Sequence, residues 1–183
     1  MKKNKSFESR FWSGRNKHSA LALMDVFFQF HDLITAKERL HRIMQYAVQR
    51  KTRIPEDPSV IFHFHQSLRS FLRAGWCLQN KGRKWMVHSL PEQSSPLLQG
   101  SLSEEEYRNT AKVFQKAFKE YPLEEFEEFL SEVVHFSLGT FNNVPERNIV
   151  GPYLQLIKML DATWLILERK NSNKELSIKR SLL

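Results

Sequence analysis

In HFHQSLRSFLRAGWC, residues 63–77, two histidines flank a phenylalanine, two arginines stand four residues apart, and the chain's single cysteine closes the run. The backbone adopted here decides the fold class. In a strand, alternate side chains share a face, so His63 and His65 could grip one metal ion. In a helix, at about 100° per residue, they stand about 160° apart. The apolar spacing favours the helix, because Phe64, Leu68, Phe71, Leu72, Gly75 and Trp76 gather on one side of the wheel. Asp57-Pro58 just upstream reads as an N-cap followed by the first helical residue. His65 is therefore expected at the edge of the buried face, packed or hydrogen-bonded, and His63 in solvent. Arg69 and Arg73 form a flank, and Cys77 falls on the polar side.

Working outward, SALALMDVFFQFHDLI (residues 19–34) is apolar nearly all round the wheel except for a stripe of Asp25, Gln29 and Asp32, which predicts a helix central in its bundle. Thr35 and Glu38 form a capping-box pattern, so a second helix is expected from about Ala36, with Leu40, Ile43, Met44 and Ala47 inward. KTRIPEDPS breaks the chain before the helix of the opening stretch. Beyond that helix, the short Trp85-Met-Val run in KGRKWMVHSL could be extended, although a lone strand has nothing to pair with. PEQSSPLLQGS reads as a loop. Ser103-Glu-Glu-Glu106 is a capping box, expected to open one helix whose apolar side runs from Tyr107 through Thr110, Phe114, Ala117 and Phe118 to Tyr121. Pro122 restarts the chain, LEEFEEFLSEVVHFSL forms the next helix, and Gly139 ends it. Gly151-Pro152 opens the last helix, with Tyr153, Leu156, Ile157, Leu160, Trp164 and Leu167 on one face.

No alternating pattern competes with these periods. The expected fold is all-α, a single bundle of five to six helices or two abutting helical pairs. One helical domain covers residues 1–170, with a subdomain boundary available in the 89–102 loop. The polar, basic end NSNKELSIKRSLL, residues 171–183, is expected to be a frayed, flexible tail.

The totals agree with one domain. The 183 residues are 41% hydrophobic and 26% charged, with 14 Phe and 4 Trp as bulky core material. A single cysteine excludes an internal disulfide and suits a reducing compartment. ALALMDVFFQF and LQLIKMLDATWLIL are interrupted by Asp25, Lys158 and Asp161 short of the about 20 apolar residues a membrane span needs. The basic start MKKNKSFESRFWSGRNKH lacks the small-residue cleavage site of a secretory leader, so the expectation is a soluble, cytoplasmic protein.

Charge is unevenly placed. The net charge is +8, and residues 1–53 alone hold 12 Lys and Arg against 4 Asp and Glu, whereas residues 101–150 hold 5 against 10. A basic N-terminal half points to an anionic partner. The residues expected to meet it are Arg39, Arg42, Arg50, Lys51, Arg53, Arg69, Arg73, Arg83, Lys84 and Trp85. Arginine matches phosphate oxygens as a planar fork, and Trp85 could stack on a base.

Other chemistry is less well supported. Glu-x-x-His occurs at Glu38–His41 and Glu132–His135, as in helical di-iron proteins, but the glutamates lie off the apolar faces. Asp25 and Asp32 could meet Arg69 or Arg73, or simply edge a wet stripe, and His31 reads as a satisfied core histidine rather than a base. Arg83-Lys-Trp-Met-Val-His88 is similar to the Arg-x4-His spacing of one superfamily of helical-bundle ribonucleases, and supplies the enzyme alternative through Arg83 and His88. The resulting expectation is a binding or regulatory protein without cofactor or metal. Nucleic acid is the first partner and an acidic protein surface the second. A third reading is a structural or homo-oligomeric role with Phe- and Trp-rich helix faces meeting across a two-fold axis, and the basic residues could equally form a solvated face or pair in trans with the acidic EEFEEFLSE helix.

Overall fold

The structure is a computed structural model that describes residues 20–49, 51–79 and 100–181, the last ten by their helical backbone alone. The protein is helical throughout this part, with seven helices and no strand element among the described residues. They are α1 (Ala20–Phe30), α2 (Leu33–Ala47), α3 (Pro58–Leu78), α4 (Glu104–Arg108), α5 (Ala111–Glu120), α6 (Leu123–Leu138) and α7 (Val150–Ser181). None of them is long and apolar enough to cross a membrane. The Trp85-Met-Val run and most of the 89–102 loop lie outside the described residues.

Local chemistry sets most boundaries. The Ser59 amide donates to Asp57 Oδ1 (2.7 Å) at the start of α3, as the Asp-Pro pair predicts. The expected capping box of α4 is complete, since the Ser103 amide donates to Glu106 Oε2 and the Glu106 amide to Ser103 Oγ. Asp32, not Thr35, caps α2: the Thr35 amide donates to its carboxylate (2.9 Å), so the helix starts at Leu33, three residues before the expected point. The helix expected from Ser103 to Tyr121 is two helices, because Asn109 takes an extended ψ of 83° between them. Asn and Thr offer the backbone side-chain hydrogen bonds that compete with helix, and Asn109-Thr110 breaks it there. At the other end of the chain, polar composition does not stop α7, whose helical backbone continues to Ser181.

α3 and α7 hold the core together. α3 runs antiparallel to α1, with Phe27 against Phe71 (ring centroids 5.0 Å) and His31 against Phe64 (5.2 Å). Its other sides meet α5 and α6. Gly75 permits the α5 contact, since a Cβ there would stand 3.2 Å from the Phe114 ring. α2 packs on α6 and α7, and α5 on α7. Phe64, Phe71, Phe114 and Phe126 are fully buried, and truncating any one of them to Ala costs about 3–5 kcal/mol.

Two expectations about position are corrected. α1 is peripheral rather than central: it buries only Ala20, Met24 and Phe27, and Phe30 is largely exposed. The central role belongs to α7, where Leu156, Met159, Leu160, Ala162 and Thr163 are all fully buried. Trp76, expected on the inner face of α3, is also exposed.

α7 tolerates burial because its charges are matched. Asp161 Oδ2 accepts from the Ser101 amide (2.8 Å) and hydroxyl (2.6 Å), and Lys37 Nζ reaches both its carboxylate oxygens (2.8 and 3.0 Å). One turn earlier, Lys158 Nζ donates to buried Glu106 (3.0 and 3.2 Å). Burial alone would raise the Glu106 pKa, but the Ser103 amide, Lys158 and Lys116 outweigh it and hold the carboxyl below its ordinary value. Gly100 passes Asp161 at φ +54°, in the left-handed region, and a Cβ there would stand 2.7 Å from the carboxylate.

Candidate anion-binding surface

Arginines on the N-terminal half meet glutamates two to one. Arg39 Nε lies 3.3 Å and Arg42 Nη1 2.8 Å from the Glu56 carboxylate, which the α2–α3 loop presents just before the cap of α3. The Arg39 guanidinium also stacks over the Phe64 ring at 5.4 Å. The second group forms between α3 and α6. Arg73 Nε donates to Glu127 Oε1 (2.6 Å), and Nη2 of both Arg73 and Arg69 lies 3.3 Å from Oε2. Burial would raise the Glu127 pKa, but Arg73 first and Arg69 second reverse this and hold it below the usual glutamate value.

Each group sets two guanidiniums against one glutamate. In each, a carboxylate fixes two planar forks that would otherwise be free to rotate. Between Arg42 and Glu56 runs a basic loop, with Lys51 and Arg53 exposed on it. That loop is anchored, because the buried Ile54 donates its amide to the Ser137 carbonyl at the end of α6 (2.8 Å). Arg39 and Arg42 lie on α2 and Lys51 and Arg53 on the loop that follows it, while Arg69 and Arg73 occupy a separate position further along α3. Arg50, Arg83, Lys84, Trp85 and His88 lie outside the described residues.

Neither Asp25 nor Asp32 is the carboxylate that Arg69 and Arg73 meet. Asp32 is committed to its cap, whose Thr35 hydrogen bonds hold its pKa low, and the partner is Glu127, 54 residues beyond Arg73. His31 is half-buried between Phe27 and Phe64, with Nε2 3.3 Å from Ser67 Oγ. Ser67 gives its proton to the His63 carbonyl (2.9 Å), so His31 donates in this contact. Burial is the main reason its pKa falls below 6.5, Arg39 adds to the effect and Asp32 opposes it. His63 is exposed and His65 half-buried, as the helical wheel predicts. Glu38 and His41 are exposed on α2, with His41 Nδ1 3.3 Å from the Tyr153 hydroxyl, and His135 stacks on Phe141.

A second feature escaped the sequence reading. Between α6 and the start of α7 lies a cleft of about 440 Å³ with an acidic rim of Glu125, Glu128 and Glu132 and an apolar floor of Phe129, Ile149 and Pro152. Glu128 is ion-paired with Arg147. Asn148 closes one end by accepting from the Val150 and Gly151 amides (3.2 Å each), which caps α7. Gly151 lets the chain pass beside the Tyr121 hydroxyl, where any Cβ would collide. The glutamates at intervals of three and four were visible on α6 beforehand. The opposing wall was not, because it comes from a turn without periodicity.

No protein-family model, curated protein or solved structure matches the chain.

Proposed function

We propose that this is a non-catalytic, cytoplasmic helical binding protein whose basic N-terminal half contacts a phosphate-bearing partner, with nucleic acid as the first candidate. The observation that carries this reading is the Arg39–Glu56–Arg42 group together with Lys51 and Arg53, which are exposed on the loop that carries Glu56. Two guanidiniums already oriented by one carboxylate lose little further rotamer freedom on meeting a phosphate, and their surplus charge adds to that of the neighbouring loop. Arg50, adjacent in sequence, would extend the same surface. The arrangement contacts backbone phosphates rather than base edges, so binding should be nearly independent of sequence. An exposed free thiol at Cys77 fits a reducing compartment.

Fluorescence anisotropy with short single-stranded and duplex DNA and RNA, at about 50 and 200 mM salt, tests the reading. Binding should weaken log-linearly with salt, and Arg42→Glu/Arg53→Glu should abolish it while leaving the helical circular dichroism intact. Absence of binding at the lower salt, or full binding by the double variant, would overturn it.

A further inference from the structure

The acidic cleft has a complement on the same molecule. Glu125 and Glu132 rim it without an ion pair among the described residues, the Arg147 charge being taken by Glu128. Lys51 and Arg53 are likewise exposed and without an ion pair among the described residues. The two features lie toward opposite ends of α6. The cleft uses the Glu125–Glu132 stretch, and the basic loop is pinned by Ile54 to Ser137 near the helix C-terminus.

We propose that the cleft receives the Lys51–Arg53 loop of a second copy, so that two chains associate about a two-fold axis with their α6 helices antiparallel. Reversing one α6 against another brings each basic end toward the other's acidic stretch, so both contacts form together, as a self-complementary two-fold interface requires. The spacing is suitable. Seven helical residues separate Glu125 from Glu132, about 10 Å along the axis. Two extended residues separate Lys51 from Arg53, about 7 Å, and their long side chains span the remainder. The apolar floor accommodates the aliphatic stems of the incoming cations while their charged heads reach the rim. Charge complementarity also explains why the cleft is left acidic in a chain of net charge +8. The inference shares Lys51 and Arg53 with the nucleic-acid reading, so the two contacts compete for them, whereas Glu125 and Glu132 belong to this one alone.

Light scattering on the full chain tests it, at about 50 and 500 mM salt. The unmodified protein should show twice the chain mass at the lower salt and shift toward the single-chain mass at the higher. Glu125→Lys/Glu132→Lys and Lys51→Glu/Arg53→Glu should each be monomeric at both, with unchanged circular dichroism. An equimolar mixture of the two variants restores opposite charge at both contacts and should return to twice the mass. A monomeric parent at low salt, a dimer that survives either reversal, or a mixture that stays monomeric would each overturn the proposal. The cleft variant should retain any anisotropy response to nucleic acid, so the two readings can fail separately.

Discussion

The arginine groups on α3 and the ion pairs on α7 use the same chemistry under different constraints. Around Glu127 the carboxylate and both arginines are a quarter or so exposed, so water shares in balancing their charges. Around Asp161 and Glu106, each only 5% exposed, each carboxylate has a lysine and hydroxyl or amide donors at short range. A partly exposed charge tolerates imbalance because water screens it. A buried charge must be matched within the fold, and breaking the match is costly.

Removing Asp161 should therefore have the largest effect. Asp161→Ala strands Lys37 and the Ser101 amide and should lower unfolding free energy by about 3 kcal/mol in urea titrations. A loss under about 1 kcal/mol would erase the contrast between the two regions. The double change Lys37→Met/Asp161→Leu should recover much of that loss, since an apolar pair leaves no uncompensated charge. Gly100→Ala should cost about 2 kcal/mol, from a left-handed φ combined with the approach to Asp161. Glu127→Gln, acting on arginines that remain partly exposed, should cost about 1 kcal/mol. The exposed Glu104–Arg108 pair on α4 should be worth a few tenths at most, about 0.3 kcal/mol.

Acid sharpens the comparison in two steps. His31 has a folded pKa below 6.5, so the unfolded chain takes its proton first, and stability should begin to fall as pH drops through 6.5. Glu106 and Glu127 also have lowered folded values, so the stability they contribute is complete above their ordinary pKa of 4.5 and is lost as pH falls below it. Melting temperature against pH should show both phases. His31→Gln should remove the upper one and leave the lower, and an unchanged upper phase would exclude His31 as its source.

Signals that act within a few residues were legible in the sequence. Asp57-Pro58, the Ser103 capping box, Pro122 and Gly139 mark real boundaries, and the inner face of α3 was read correctly except at Trp76. Pairings across long stretches were not legible. Glu127 lies 58 residues from Arg69, and Lys37 lies 124 from Asp161, separations at which no period links one charge to another. The same limit reversed the roles of α1 and α7. An all-round apolar wheel suggested a central α1, and Lys158 with Asp161 read as interruptions in α7, because a wheel shows polarity but not whether another element answers it. The basic surface was legible as composition, and its grouping around Glu56 and Glu127 was not.

The two buried pairs on α7 have one further consequence. Apolar helix faces slide past one another at modest cost, since one leucine fills much the same space as the next. Lys158 and Asp161 forbid that here, because they carry opposite signs three residues apart and face different partners. A slip of three residues would set Lys158 where Asp161 stands, ammonium against the ammonium of Lys37. The longest helix is therefore keyed by sign at one axial position, which a core of hydrocarbon alone would leave open.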